Sequence, residues 1–453
     1  MKSECKTEAP QTADGLVRAL GQLDSVAMVV GTLIGTGIFF VVGDMIRAVH
    51  SFSLVLLAWV VGGLLSLTGA LAYAELGALR PQAGGEYVYL RDGFGRFYGF
   101  LYGWGMFWIL RPASTATIAS GLALACAYLF PILRHPLLGP VNGIQAVAGL
   151  AIVLVTGINY FGVRQGGRVQ TIFTGLKLAL LVGMTVAAFA WAHGDWRHLS
   201  QPLAGAATLG GFSAALVSAL WAYDGWNNLT MAGSEIRDPQ RNIPRALLGG
   251  IGLVFVFYMA VNLAYFYVLG PAGVGAHRNV AAAMVAVFSG RHAAGLVASA
   301  ILISAFATLN SSILSGARVP FALARDGLFF RGLARVHPRY RTPSVSLWVQ
   351  CVFTVVLALT GTYQRLYTLT IFAEWLFYTL AVMTLFAFRR RGERGAFQGW
   401  GYPVLPAIFA LVAAALLIET FQRHMGDSAL GLGVILLGAP AYLIWRRKTA
   451  PPA

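Results

Sequence analysis

The chain reads as an all-α integral membrane protein of twelve transmembrane helices, arranged as two five-helix repeats followed by two further spans. Three observations carry this reading. Hydrophobic residues make up 57% of the 453 positions and charged residues only 11%, whereas about a quarter of a soluble domain is charged. Apolar runs of about 18 residues or more, long enough to cross a bilayer, recur along the whole length. Two of those runs are interrupted near their middles, at matching places in two halves of the chain, which is the sequence pointer to a binding site between repeats.

The runs fall at 25–49, 52–79, 97–130, 142–163, 168–192, 208–233, 244–269, 292–324, 344–361, 365–388, 401–421 and 428–446. Short loops rich in Gly, Pro and Arg join them, and no long hydrophilic stretch marks a soluble domain. The expected organisation is an N-terminal tail (1–24), a first repeat (25–200), a second repeat (206–390), two peripheral spans (400–447) and a C-terminal tail (448–453). An odd number of spans per repeat inverts the second copy.

A net charge of +16 suggests nucleic acid only until its distribution is read. With the N-terminus inside, 24 of the 33 Lys and Arg residues lie in cytoplasmic segments, with clusters at Arg237–Arg245, Arg325–Arg341, Arg389–Arg394 and Arg446–Lys448. Only seven (Arg47, Arg134, Arg197, Arg278, Arg291, Arg365 and Arg423) lie in outer loops, and Arg111 and Lys177 remain inside spans. This bias puts both termini in the cytoplasm, and a cell membrane is the expected location. The basic excess then meets anionic lipid headgroups, and no nucleic acid partner is expected.

The N-terminal residues show no signal-peptide pattern. Cys5, Cys126 and Cys351 are scattered and suggest neither a disulfide framework nor a metal site. No Walker A run, His-Glu-x-x-His or nucleophile elbow is present, so an enzyme or ATP-driven pump is disfavoured and no cofactor is expected. The eight histidines fall in or near loops.

The first interruption is Val30-Gly31-Thr32-Leu33-Ile34-Gly35-Thr36-Gly37-Ile38-Phe39. Three glycines and two threonines there weaken the helix, and unwound backbone is tolerated at membrane depth only where protein or a cavity covers it. The second is Trp221-Ala222-Tyr223-Asp224-Gly225-Trp226-Asn227-Asn228 in the sixth span. A Gly31-x-x-x-Gly35 helix-packing motif is the bland reading, but it leaves the matching second break unexplained.

Further runs then carry a family. They are Pro81-Gln82-Ala83-Gly84-Gly85-Glu86-Tyr87 after span two, Leu110-Arg111-Pro112-Ala113-Ser114 in span three, and Arg168-Val169-Gln170-Thr171-Ile172-Phe173 leading to Lys177. Glu235-Ile236-Arg237-Asp238-Pro239 follows span six, and Ala324-Arg325-Asp326-Gly327 follows span eight. In order and spacing, with the two breaks, they resemble the amino acid–polyamine–organocation (APC) superfamily, and within it the L-type amino acid transporters. The resemblance implies a LeuT-type fold and sodium-independent amino acid transport by alternating access. An exchanger of neutral amino acids is the leading expectation, and a proton-coupled symporter the alternative.

A substrate carboxylate would then meet N–H groups around Thr36 and Gly37, at the positive end of the second half-helix. Gly35 would let the ligand approach the backbone. Carbonyls near Thr32, Leu33, Trp221 and Ala222 would suit the ammonium. By resemblance Trp221 is a gate that closes over the substrate; a core tryptophan is the plainer reading. Asp224 sits in the second break as a supporting group. Asn310 either faces the substrate side chain or bonds between helices. Glu374 and Glu75 read as structural or gate elements, and Arg111 is placed near the outer half of its helix, away from substrate.

Lys177 is the one lysine inside a span, and an ammonium at that depth is a functional candidate by default. The resemblance puts it where sodium-coupled relatives bind a cation between spans one and eight, bridging carbonyls near Gly35 to a hydroxyl. Ser304, Thr308 and Ser311 share a helix face and supply candidates. Snorkelling to the inner surface is the alternative. Eukaryotic members of the resembled family join a glycoprotein through a cysteine between spans three and four. The loop Phe130–Pro136 has none, so a stand-alone carrier is expected.

Overall fold

A computed structural model describes residues 12, 14–138, 141–360, 363–423 and 425–449. Residues 1–11, 13 and 450–453, which hold much of both expected tails and Cys5, lie outside the described residues. Lys448 and Thr449 continue the last helix instead of starting a tail.

Helix occupies each of the expected spans. The first is a pair, α1 (Gln22–Leu33) and α2 (Gly37–Val49), bent by 40° at the break. Then come α3 (Phe52–Leu79) and a short loop helix α4 (Glu86–Phe94) that hydropathy did not single out. The third span joins α5 (Arg96–Gly105) to α6 (Arg111–Leu129) through a π turn at Met106–Leu110. Strands β1 (Pro136–Leu138) and β2 (Val141–Asn142) pair across the next loop, before α7 (Gly143–Tyr160) and α8 (Val163–Trp191).

The sixth span stops at Ala222: α9 (Leu209–Ala222) is followed by turns and then by the single turn α10 (Asn228–Met231). Next, α11 (Pro239–Ala276) is kinked at Gly270, and α12 (Val280–Ser289) caps the bundle. The eighth span is α13 (Ala293–Gly316), turning into α14 (Arg318–Arg325). Gly316, at the end of α13, leaves room for the Arg111 side chain, which a β-carbon there would overlap. The chain ends with α15 (Ser344–Thr360), α16 (Tyr363–Arg390), α17 (Val404–Arg423), α18 (Met425–Leu436) and α19 (Gly438–Thr449). Among the described residues, eight helical stretches, with α5–α6, α13–α14 and α18–α19 each taken as one, are long and apolar enough to span a bilayer, and the bent α1–α2 pair makes a ninth.

Large apolar side chains such as Leu154, Val256, Leu411, Ile418 and Leu443 are exposed on the outside of the bundle, which is stable only where hydrocarbon replaces water. The interior packs α1 between α8, α11 and α13, and α6 against α7, α13, α15 and α16. Trp59, Tyr223 and Tyr258 meet edge-on or tilted behind the breaks, with centroids 4.9–5.7 Å apart, a favourable aromatic geometry.

The basic end of the bundle is sealed. Residues 14–20 are a strap, not a loose tail. The N–H groups of Ala19 and Leu20 both donate to Glu235 O at 2.9 Å, and Arg237 N–H returns to Leu20 O at 2.8 Å. Beneath the strap the Arg318 guanidinium donates to both Glu235 oxygens at 2.7 and 2.8 Å, with both side chains 0% exposed. Glu75 also works at this end, paired with Arg389 at 2.6 Å.

Candidate functional site

The two breaks face one cavity of about 160 Å³ in the middle of the bundle. Thr32, Leu33, Gly35, Thr36 and Gly37 line it from the first break, and Trp221, Ala222, Asp224 and Gly225 from the second. The cavity continues past Val217 and Gly121, away from the sealed basic end.

The helix of α1 makes its last regular bond from Ile34 N to Val30 O, 3.0 Å, before Gly35 N turns back to Leu33 O. Helix α2 then starts afresh. Among the described residues the N–H groups of Gly37 and Ile38 donate to no carbonyl, so the positive end of a 13-residue helix meets the cavity with free donors. That arrangement binds an anion such as a carboxylate.

Close approach explains the second break. Gly225 has φ 102°, and a β-carbon there would press on the Thr32 methyl. Thr32 in turn donates to Met28 O at 2.6 Å and approaches Ser311 Oγ at 2.7 Å. The second break therefore closes directly onto the first.

Lys177 lies behind the first break. Its Nζ donates to Gly31 O at 2.8 Å and, more closely still, to Ile34 O. Ser304 Oγ donates to Ile34 O at 2.8 Å and lies 3.2 Å from Gly35 O, while Thr308 Oγ1 donates to Gly31 O at 2.9 Å. One ammonium and two hydroxyls thus satisfy Gly31 O and Ile34 O, two of the carbonyls that the broken helix releases. The side chain is 1% exposed, so the snorkelling alternative does not hold. The chosen pair of hydroxyls, Ser304 and Thr308, meets the same two carbonyls as the lysine, and Ser311 serves Thr32 instead.

Asn310 requires a correction, because it does not reach the cavity. It is 0% exposed, donates to Gly166 O at 3.0 Å and Gln170 Oε1 at 2.9 Å, and accepts from Asn159 Nδ2 at 2.9 Å. Two residues on from Thr308, it is rotated by about 200° around α13, which turns it to α7 and α8. It is an interhelical clamp.

Three groups around the site were not assigned to it by the sequence reading. Tyr258 on α11 places its hydroxyl 2.8 Å from both Leu33 O and Ala222 O. It ties the two carbonyl ends assigned to the substrate ammonium to each other. Replacing Tyr258 with phenylalanine is expected to lower transport about threefold to tenfold at unchanged expression. One net hydrogen bond is worth about 0.5–1.5 kcal/mol. Uptake into liposomes per molecule of inserted protein measures this, and an unaltered rate would show that the bridge is idle.

Arg111 and Glu374 are the other two. The structure corrects the placement of Arg111. It is a buried wall residue level with the breaks, donating to Asn228 Oδ1 at 2.8 Å and Ser312 Oγ at 3.3 Å. Glu374 on α16, read from sequence as a structural or gate element, lines the cavity too, beside Trp375 and Tyr378. The Tyr378 hydroxyl lies 3.0 Å from Asp224 Oδ1 and 3.1 Å from Asn227 Oδ1. A charged residue inside a span was the available signal for both, but nothing in the sequence indicated which way either faced.

Comparison with known proteins follows the same lines. Residues 20–438 match the family described as amino acid permease. The serine/threonine exchanger SteT of Bacillus subtilis is 32% identical over 443 residues, covering 96% of this chain and 99% of that one. The b(0,+)-type amino acid transporter 1 of Mus musculus is 30% identical over 394 residues, 86% of this chain and 79% of its own. The large neutral amino acids transporter small subunit 2 of Homo sapiens is 29% identical over 476 residues, 99% and 85% respectively.

Proposed function

We propose a function on one premise: the chain belongs to the amino acid permease family of the APC superfamily. It is accordingly a multi-pass membrane protein that transports amino acids, and not an enzyme. The finer reading is sodium-independent exchange of neutral amino acids by alternating access, in a cell membrane with both termini cytoplasmic. Residues 25–200 and 206–390 would be inverted repeats, with the broken helices α1–α2 and α9–α10 rocking against the rest around the cavity.

One observation carries this reading: a fixed ammonium, Lys177 Nζ, already occupies the carbonyls Gly31 O and Ile34 O of the break. A built-in cation there supplies what a bound metal cation otherwise supplies, so no ion need travel with the substrate. The substrate carboxylate would sit on the free N–H groups of Gly37 and Ile38, and the ammonium at the carbonyl ends of α1 and α9. Trp221 lines the same cavity and would close over a ligand as its gate. With the strap sealing the basic, cytoplasmic end, this is the outward-facing arrangement. The resemblance adds a stand-alone carrier, since Cys126 lies within α6 and the loop after it has no cysteine.

Purified protein in liposomes tests the exchange reading. Vesicles preloaded with unlabelled amino acid should take up labelled amino acid at least tenfold faster than empty vesicles, in the absence of sodium. Equal rates in the two would remove exchange in favour of net transport. Equal rates that also follow an imposed pH gradient would favour the proton-coupled symporter.

A further inference from the structure

We infer that Glu374 selects the substrate, and that it does so by accepting a hydrogen bond from the end of the substrate's side chain. This rests on the reading of the cavity as an amino acid site. The preferred substrates are then amino acids whose side chain carries a hydrogen-bond donor, over apolar ones of the same shape.

The argument follows the cavity's charged groups. The amino acid head group has its partners on the half-helix ends of α2, α1 and α9. The rest of the lining comes from α6, α13, α16 and α17, and there the substrate side chain would lie. Among the described residues, three charged side chains line the cavity: Arg111, Asp224 and Glu374. Arg111 directs its terminal nitrogens at Asn228 and Ser312. Asp224 accepts from the Tyr378 hydroxyl. Glu374 receives no hydrogen bond from any other described residue, although it borders both the main cavity and a smaller void beneath it.

Glu374 is partly exposed to the cavity, so an occupant that displaces solvent from its carboxyl group must bring a donor or leave that group unanswered, which is unfavourable. An apolar side chain of equal size fills the same space and leaves the carboxylate unanswered. Discrimination by a polar group built for a hydroxyl is far stronger than a hydrophobic pocket achieves between shapes. Threonine and valine have the same shape and differ in that one hydroxyl, so their ratio isolates the effect.

The test measures exchange of labelled threonine and labelled valine at low concentration in preloaded liposomes, for the parent protein, Glu374→Leu and Glu374→Gln. The parent should favour threonine by at least about tenfold. Glu374→Leu should bring the ratio to about one, and Glu374→Gln, whose amide oxygen still accepts, should keep most of it. Using a ratio cancels any general loss of rate or folding. A parent ratio near one overturns the proposal without any variant, and so does a Glu374→Leu ratio equal to the parent's. Loss of the ratio in Glu374→Gln as fully as in Glu374→Leu also overturns it, because acceptance would then not be the property that matters. If the parent exchanges no amino acid at all, the transport reading fails instead, and the two failures are distinct.

Discussion

Changing Lys177 to alanine is expected to slow exchange on the order of a hundredfold while shifting substrate affinity by less than about threefold. The rate loss follows from two hydrogen bonds from a charged donor, to Gly31 O and Ile34 O, each worth about 1.5–3 kcal/mol. A tenfold change in rate corresponds to about 1.4 kcal/mol. Affinity is spared because Lys177, Gly31 and Ile34 all lie behind the first break and none lines the cavity. The lysine supports the shape of the break through each conformational step, and it does not touch the occupant. Ser304 and Thr308 would still hold one carbonyl each, which limits the damage to rate rather than folding. Binding is read by thermal shift with amino acid and rate by liposome exchange. An unchanged rate would remove the lysine from the transport cycle, and equal losses in both would make it part of the substrate site.

The largest effect on stability is expected at Arg318. Its guanidinium and the Glu235 carboxylate are both 0% exposed and joined by two hydrogen bonds. Replacing Arg318 with alanine strands a buried carboxylate, and removing one partner of such a pair costs about 3–5 kcal/mol. The loss should appear as a clear drop in the melting midpoint in detergent. Replacing both partners with leucine should recover a large part of it, because no uncompensated charge is left. A single variant that melts within about 2 °C of the parent would show that water already reaches the pair. Since Glu235 O also anchors Ala19 and Leu20 of the strap, the single variant should further loosen the seal at the basic end.

Some of the site was legible because its residues are locally expensive. Glycines and threonines weaken a helix wherever they sit, so the break at Gly31–Gly37 announced itself, as did the one at Asp224–Gly225. An ammonium in a hydrocarbon run is costly at any orientation, which singled out Lys177. Other residues depended on direction. Helix α13 carries polar side chains on more than one side, Ser304, Thr308 and Ser311 on one and Asn310 on another, so its sequence does not say which of them meets the break. Ser304 and Thr308 point at the first break, and Asn310 points away from it to Gln170. The same holds for Arg111, whose position was misread along the helix axis, and for Tyr258, one aromatic among many in α11.

The sequence by itself determined that the chain crosses a membrane many times, that two of its helices are interrupted, and that one lysine lies inside a span. Each of these is a property of local composition and of hydropathy along the chain. Only the tertiary structure decided which side chains share the cavity. It put Glu374 and Arg111 in the wall, Tyr258 between the two breaks and Asn310 in a clamp between helices. The physical reason is that a membrane helix buried on every side carries no hydrophobic contrast around its circumference. Its rotation is set by packing against neighbours distant in sequence, and a polar residue's partner is known only once that rotation is fixed.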